Sequence, residues 1–288
     1  MADDPEPDDT EAPEVTAAGD AEELRHDHFI GPVDLTRWGS RPGRMLARAV
    51  ESASRNLGGH GALIMTLVVG GAIAVAFSFL ASRVYDAITE AEGVAGLDMP
   101  ILLAMMGLRS PVLDVIVTGY TDIAGPIGMP ILAVVAILIL SLRRRSWTPA
   151  ILIASAGIGS LLMTVAGKDL VGRVRPPLVD AVPPYEYSPS FPSGHTLNAV
   201  VIAGVVAYLL LLRRRSTRGR VTTVVVAAVF ALTIGLSRVF LGHHWFTDVL
   251  AGWVLGAAWL ALIITAHRLY ITARTARAVR AGAAAVGE

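Results

Sequence analysis

Three short segments of this chain, far apart in the sequence, carry groups that could hydrolyse a phosphate ester without a metal ion. They are residues 168–176 (KDLVGRVRP), 192–195 (PSGH) and 237–248 (SRVFLGHHWFTD). Each segment lies at the end of a long apolar run of the kind that crosses a membrane. We therefore expect the three segments to converge at one membrane surface and to form a phosphate-ester site there.

Three cations in these segments, Lys168, Arg175 and Arg238, are candidates for binding phosphate. The planar guanidinium group of arginine matches the geometry of phosphate oxygens, and lysine adds a compact positive charge. Three cations held close together repel one another, so we expect an anion between them. The alternative is that each is an ordinary basic residue at the end of a membrane helix, with its charge extended into the interface.

The segment Pro192-Ser193-Gly194-His195 directly precedes an apolar run that we predict to be a helix. Serine is favoured at a helix N-cap, and glycine lets a ligand approach the backbone closely. Unpaired N–H groups at a helix N-terminus attract anions. We therefore expect the Ser193 hydroxyl and the Gly194 amide to hold phosphate oxygens and His195 to protonate a leaving oxygen. The alternative is a plain serine N-cap beside an interfacial histidine.

His244 and Asp248 are four residues apart, so on a helix they share a face. A carboxylate on one imidazole nitrogen fixes the tautomer and makes the other nitrogen a better nucleophile. This spacing indicates a histidine that attacks phosphorus directly. The alternative is a structural hydrogen bond between the two side chains. His243 would point elsewhere on a helix, and we interpret it as structural.

A metal site is a further alternative for the histidines His195, His243 and His244. It would need carboxylate ligands, and Asp248 is the one obvious candidate. The chain contains no cysteine, which excludes thiolate ligands, disulfides and a cysteine nucleophile. We expect no metal and no other cofactor.

Taken together, the three segments resemble the signature of the type 2 phosphatidic acid phosphatase family, which is related to glucose-6-phosphatase and the vanadium haloperoxidases. That signature is Lys, six residues and Arg-Pro, then Pro-Ser-Gly-His, then Ser-Arg, five residues, His, three residues and Asp. The resemblance covers residues 61–266. The chain matches every position of the signature, with Lys168, Arg175, Pro176, residues 192–195, Ser237, Arg238, His244 and Asp248.

The resemblance implies a role for each residue of the signature. His244 would attack phosphorus to form a phosphohistidine, with Asp248 orienting its ring. His195 would protonate the leaving group and then activate water for the second step. No metal would be required. The charge on the equatorial phosphate oxygens would be neutralised by Lys168, Arg175, Ser193, Gly194 and Arg238.

The composition indicates one membrane-embedded unit, since 53% of the 288 residues are hydrophobic and the mean hydropathy is +0.58. The first 23 residues hold ten acidic residues and no lysine or arginine. This segment has too few large apolar residues to fold. We predict a disordered acidic cytoplasmic tail over residues 1–40, a membrane domain over 41–272 and a cytoplasmic Arg- and Ala-rich tail over 273–288.

Charge-free apolar windows predict an all-α integral membrane protein, built as a six-transmembrane helical bundle. The last three windows are short, so we expect each of these helices to continue beyond its window. We predict a short interfacial helix over residues 99–108 and a proline-rich, non-helical extracytoplasmic loop over 169–192. The six windows are residues 61–82, 123–142, 146–167, 196–212, 221–237 and 249–266.

The distribution of basic residues predicts the orientation. With six alternating spans, 18 lysines and arginines fall on one side of the membrane and six on the other. Basic residues favour the cytoplasmic side. We therefore predict a plasma-membrane protein with both termini in the cytoplasm and an extracytoplasmic site.

A site at the outer ends of membrane helices lies at head-group depth, which favours a lipid phosphate as the substrate; nothing indicates nucleic acid as a partner. In the family that the segments resemble, the candidates are phosphatidate, phosphatidylglycerophosphate and polyprenyl pyrophosphates such as undecaprenyl pyrophosphate. Two other functional classes, a lipid transporter and a haloperoxidase, agree less well with the sequence. A non-enzymatic lipid transporter or flippase would carry charges at mid-membrane, whereas all six windows are free of charge. A haloperoxidase would hold vanadate with the same residues, but those relatives are soluble.

Overall fold

The computed structural model describes residues 27–56 and 93–286. Within these two ranges, a hairpin of two-residue strands, β1 and β2, comes first, and eight α-helices follow, numbered in chain order. Short 3-10 helices lie at Val94–Leu97 and Leu178–Asp180. The bounds are β1 Phe29–Ile30, β2 Val33–Asp34, α1 Arg41–Asn56, α2 Asp98–Met106, α3 Pro111–Asp122, α4 Gly128–Arg144, α5 Thr148–Val171, α6 Gly194–Leu211, α7 Thr217–Phe240 and α8 Phe246–Val286.

Four of these helices are long and apolar enough to cross a membrane. They are α5, α6, α7 and the first part of α8, Phe246–Ala276. This confirms an all-helical, membrane-spanning architecture. The predicted span at residues 61–82 lies outside the described residues. As expected, the last three helices begin before their charge-free windows. Helices α7 and α8 also end beyond theirs, whereas α6 ends at Leu211, one residue before the end of its window.

The predicted second span, residues 123–142, differs most from the structure. Its helix, α4, begins five residues later, at Gly128, and is 17 residues long. Turns occupy the residues before it. Pro126 explains the break, because proline has no N–H and disfavours a helical conformation in the residue before it. The apolar window therefore contains a turn and a helix.

The predicted interfacial helix corresponds to α2, which begins at Asp98 and ends at Met106. A second short helix, α3, follows it and was missed by the prediction. Ser110 caps α3 by accepting a hydrogen bond from the Leu113 amide, and Pro111 occupies the first helical position. Both are ordinary helix start signals. Together, α2 and α3 form a connection that packs on α7.

Helix α6 is the most buried of the four spans and packs against α5, α7 and α8. Close approach depends on two glycines. A Cβ atom at Gly159 would lie 2.1 Å from the ring of Trp259, and one at Gly204 would lie 2.3 Å from Leu260. Small residues at such points allow large side chains of a neighbouring helix to fill the space. This packing fixes the relative positions of the helix ends.

Residues 27–40 differ from the disordered tail that we predicted over 1–40. They pack across the end of the bundle where α4 and α6 end and α7 begins. Asp27 is buried and forms a 3.0 Å ion pair with Arg144. Farther along, Arg268 of α8 donates a hydrogen bond to the carbonyl of Leu35. Paired charges, backbone contacts and the packing of Leu35 and Ile30 on the apolar core hold this segment.

Candidate active site

Four helix ends meet at the opposite end of the bundle. Because α5, α6, α7 and α8 run alternately up and down, the C-termini of α5 and α7 meet the N-termini of α6 and α8. The loop between α5 and α6, residues 172–193, crosses this end. All three signature segments therefore lie in one place, as the sequence predicted.

The turn between α7 and α8 sets the direction of His244. Gly242 has a φ of +71°, and a Cβ there would lie 2.4 Å from the carbonyl oxygen of Asp180. Only glycine fits this combination of positive φ and close approach. The amides of His243 and His244 both donate to the carbonyl of Arg238, at 3.0 and 3.3 Å. The turn is therefore tied to the end of α7.

The His244 ring is buried and has two different sides. Its Nδ1 atom lies 3.5 Å from Oδ2 of Asp248, and its Nε2 atom lies 3.3 Å from Nη1 of Arg175. Burial lowers the pKa of His244 to about 4; the hydrogen bond that its ring donates to Asp248 opposes this shift, and the charges of Arg175 and Arg238 add to it. The ring is therefore neutral at pH 7, with Asp248 on one side and the cations on the other.

Asp248 is fully buried in the first turn of α8 and accepts hydrogen bonds from several donors. Its Oδ2 atom accepts from the hydroxyl of Ser190 and from the amide of Trp245, the latter at 3.0 Å. Its Oδ1 atom accepts from Arg173 at 2.6 Å. The carboxylate is thus fixed in orientation before any ligand binds.

Residues of the loop between α5 and α6 accept hydrogen bonds from two of the three predicted cations. Lys168 donates to the hydroxyl of Ser188 at 3.0 Å, and Arg175 donates to the Ser188 carbonyl at 2.6 Å. Arg175 also donates to the carbonyl of His243. These bonds place the Arg175 guanidinium directly beside the His244 ring.

A carboxylate that the sequence analysis did not single out lies between the two arginines. Glu186 forms a 2.8 Å ion pair with Arg175 and a second ion pair with Arg238. Burial raises the pKa of Glu186, but the charges of Arg238 and Arg175 outweigh burial and lower it to about 2. These cations therefore favour an anion at this point, as their types predicted.

Arg238 is 1% exposed, and its side chain is aimed at the same point. One nitrogen of its guanidinium binds Glu186. Among the described residues, no atom accepts a hydrogen bond from its Nε. A buried guanidinium with an unused donor has capacity for a further oxygen ligand.

The segment 192–195 lies where the sequence placed it, with one difference. Ser193 is the N-cap residue of α6 but its side chain makes no capping hydrogen bond; its hydroxyl instead accepts from Thr196 at 2.9 Å. The Ser193 amide donates to the Asp248 carbonyl at 3.2 Å. Gly194 begins the helix, so its amide has no partner within the helix. The His195 ring is half-buried, and its Nε2 faces Gly125.

The His243 side chain makes a structural contact. Its Nε2 lies 2.7 Å from the carbonyl of Val182, which ties the turn to the loop. Burial lowers its pKa to about 4. Across the part of the chain that the structure describes, no group of three or more His, Cys, Asp and Glu side chains is arranged to hold a metal ion. The arrangement of His195, His243, His244 and Asp248 therefore gives no support to the metal alternative.

The sequence analysis missed the residues that support the signature residues: Asp98, Arg173, Glu186, Ser190 and Thr247. One signal for Glu186 was available. Three cations at one site need a counter-ion, which predicts a carboxylate in the connecting loop. Asp98 carried no comparable signal, because it lies 150 residues before Asp248 in the sequence.

Comparison with known proteins identifies the family. Residues 131–271 match the PAP2 superfamily. Phosphatidylglycerophosphatase B of Bacillus subtilis is 32% identical over 180 residues, which cover 62% of this chain and 87% of the relative. The chain belongs to the PAP2 superfamily. The family predicted from the three segments is thereby confirmed, and so is its enzymatic class, that of the PAP2 phosphatases.

Two further PAP2 relatives are informative. The crystal structure of a transmembrane PAP2-type phosphatidylglycerolphosphate phosphatase from Bacillus subtilis aligns with a TM-score of 0.59 and 30% identity, covering 66% of this chain and 93% of that chain. An undecaprenyl-diphosphatase of Sulfolobus acidocaldarius is 35% identical over 80 residues, 28% of this chain and 33% of the relative. The fold is therefore that of a membrane PAP2 protein.

Proposed function

We propose that the protein is a metal-independent membrane phosphatase that removes phosphate from a lipid phosphate or pyrophosphate through a phosphohistidine intermediate. One observation carries the proposal. The Nε2 atom of His244 lies 3.3 Å from Arg175, and Arg175 and Arg238 together hold the carboxylate of Glu186. A phosphate group that took the place of this carboxylate would present its phosphorus to Nε2.

In the first step, the lone pair of His244 Nε2 attacks phosphorus. A P–N bond forms, the P–O bond to the lipid breaks, and His195 gives a proton to the departing oxygen. Asp248 stabilises the positive charge that develops on the His244 ring. The negative charge on the equatorial oxygens is neutralised by Lys168, Arg175, Arg238 and the backbone amide of Gly194.

In the second step, water attacks the phosphohistidine. His195, now neutral, accepts a proton from the water, an O–P bond forms and the P–N bond breaks. Inorganic phosphate leaves, and both histidines return to their starting states. In this scheme the Ser193 hydroxyl, which pairs with Thr196, would have to turn to reach a phosphate oxygen.

The substrate class is a lipid because the site lies at the ends of apolar helices. The charged groups are at the ends of the spans α5, α6, α7 and α8, which is the depth of lipid head groups. Two relatives are called phosphatidylglycerophosphatase and undecaprenyl-diphosphatase. We infer that this chain acts on an envelope lipid with a terminal phosphate or diphosphate.

A panel of lipid phosphates tests this function. Purified protein in detergent should release inorganic phosphate from at least one of phosphatidate, phosphatidylglycerophosphate and undecaprenyl pyrophosphate. Vanadate, which adopts the five-coordinate geometry of the transition state, should inhibit competitively, and EDTA should not reduce the rate. No release from any of these lipids would contradict the proposal, and strong inhibition by EDTA would restore the metal alternative.

We also propose that the site faces the outside of the cell, with both termini in the cytoplasm. The absence of cysteine from the chain makes a direct test simple. Val179 is 90% exposed in the loop at the site, so Val179→Cys should react with a membrane-impermeant maleimide in intact cells. Thr217→Cys, an exposed position at the other end of the bundle, should react only after lysis. The reverse labelling pattern would contradict the orientation.

A further inference from the structure

A polar cluster that joins the signature residue Asp248 to residues outside the signature connects α2 to the start of α8. It consists of Asp98 in the first turn of α2, Arg173 in the loop after α5, and Thr247 and Asp248 in the first turn of α8. Arg173 donates from Nη2 to Asp98 at 2.7 Å and from Nη1 to Asp248 at 2.6 Å. The planar fork of one arginine thus holds two carboxylates at once.

Both carboxylates depend on this cation. Asp98 is 5% exposed and Asp248 is fully buried. Two buried carboxylates with no cation between them would repel each other and lose hydration, which is strongly unfavourable. Burial lowers the pKa of Arg173, but Asp248 and Asp98 outweigh it and raise the pKa, so this guanidinium stays charged.

Asp98 also fixes the start of α8 directly. Its Oδ1 atom accepts from the amide of Thr247 at 2.8 Å, and its Oδ2 atom accepts from the Thr247 hydroxyl at 2.7 Å. A carboxylate at this point satisfies a helix N-terminal amide and interacts favourably with the helix dipole. The residue it fixes is the immediate neighbour of Asp248.

The two carboxylate oxygens of Asp248 therefore have different hydrogen-bond partners. Oδ1 is occupied by Arg173. Oδ2 is left for the His244 ring, together with the Ser190 hydroxyl and the Trp245 amide. The contact with Arg173 therefore sets which carboxylate oxygen of Asp248 faces the imidazole of His244, and the orientation of that carboxylate.

We propose that Arg173 and Asp98 are positioning residues that set the orientation of Asp248 and, through it, of His244. Neither side chain has to touch the phosphate. The inference rests on the proposed roles of His244 and Asp248. Under this proposal the short helix α2 contributes to the reaction, because it positions Asp98 at the start of α8.

The test compares Arg173→Met with Arg173→Lys on the lipid phosphate that the wild-type protein hydrolyses best. A lysine can reach one carboxylate and keeps the charge, but it cannot hold both as a fork. We expect Arg173→Met to lower kcat by about 10²-fold or more, and Arg173→Lys to recover part of that loss, because misplacing a catalytic group costs about this much. KM and the inhibition constant of vanadate should change by less than about threefold, since phosphate binding is intact.

Asp98→Asn tests the second residue with little change in side-chain size; it removes the negative charge and one of the two acceptor oxygens. We expect a smaller fall in kcat, of about tenfold, again with little change in KM. The matched control is Asp114→Asn, a carboxylate in the first turn of the neighbouring helix α3. It should leave kcat unchanged. Size-exclusion profiles and thermal unfolding in detergent check that each variant is folded.

The outcomes distinguish a failure of this inference from a failure of the proposed function. If His244→Ala is inactive while folded Arg173→Met and Asp98→Asn have wild-type kcat, this inference is wrong and the proposed function stands. If vanadate inhibition weakens in parallel with kcat, Arg173 binds phosphate itself, which also overturns the inference. Should Arg173→Met not fold, Arg173→Lys and Asp98→Asn still decide it, because both keep a polar group in the cluster. Activity in His244→Ala would instead remove the proposed function.

Discussion

Replacing His244 with alanine should reduce phosphate release from the lipid substrate by about 10³-fold or more, because the reaction then lacks its nucleophile. The physical basis is the position of the ring, with Nε2 beside Arg175 and Nδ1 beside Asp248. The protein should remain folded, since alanine removes a ring that makes few other hydrogen bonds. Phosphate release from purified protein measures the effect.

A second buried histidine provides the matched control. His267 is 3% exposed and pairs with the hydroxyl of Tyr208, in the part of α8 remote from the site. His267→Gln should keep wild-type activity. The P–N bond is labile in acid, so mixtures of enzyme and phosphate-labelled substrate are quenched in alkaline denaturant. They should contain phosphohistidine for the wild type and for His267→Gln but not for His244→Ala. Turnover by folded His244→Ala would exclude this residue as the nucleophile.

Replacing Arg238 with methionine should have the next largest effect, a fall in kcat/KM of about 10²- to 10³-fold. Methionine fills most of the buried volume but removes the charge and the guanidinium donors. Arg238 is almost fully buried beside the Glu186 carboxylate. Its interaction with an anion is therefore little screened by water. Steady-state kinetics on the best lipid phosphate measure the loss.

Arg238→Lys separates charge from geometry in that experiment. A lysine keeps the positive charge but offers no planar fork, so it should restore part of the lost kcat/KM. The vanadate inhibition constant should rise in Arg238→Met, in contrast to the expectation for Arg173→Met. Unchanged kinetics in folded Arg238→Met would show that Arg238 does not bind the phosphate group.

The signature residues could be predicted from sequence because the chemistry fixes their spacing. His244 and Asp248 lie one helical turn apart, and the phosphate-binding residues lie at the ends of apolar runs that are visible in the sequence. Because the helices alternate in direction, the C-termini of α5 and α7 and the N-termini of α6 and α8 lie at the same end of the bundle. The fold therefore brings the three segments together as expected.

The supporting residues could not be predicted in the same way. Asp98 meets Arg173 and Asp248 only because α2 packs against the start of α8, and no local pattern encodes that contact. The hydrogen bonding of Ser193 was also not predicted. Serine is favoured at an N-cap, yet the Ser193 hydroxyl accepts from the side chain of Thr196, three residues along the chain, and caps no backbone amide. The turn before α4 was missed because hydropathy outweighed Pro126 in the prediction.

The position of Glu186 has a consequence for turnover. In the proposed mechanism, an arriving phosphate would exchange places with the Glu186 carboxylate that pairs with Arg175 and Arg238, so the free energy of binding would reflect only the difference between two anions. At the end of the proposed cycle, the returning carboxylate would help to expel inorganic phosphate. Glu186 would then act as an internal counter-ion that limits product inhibition and lowers the affinity for the substrate.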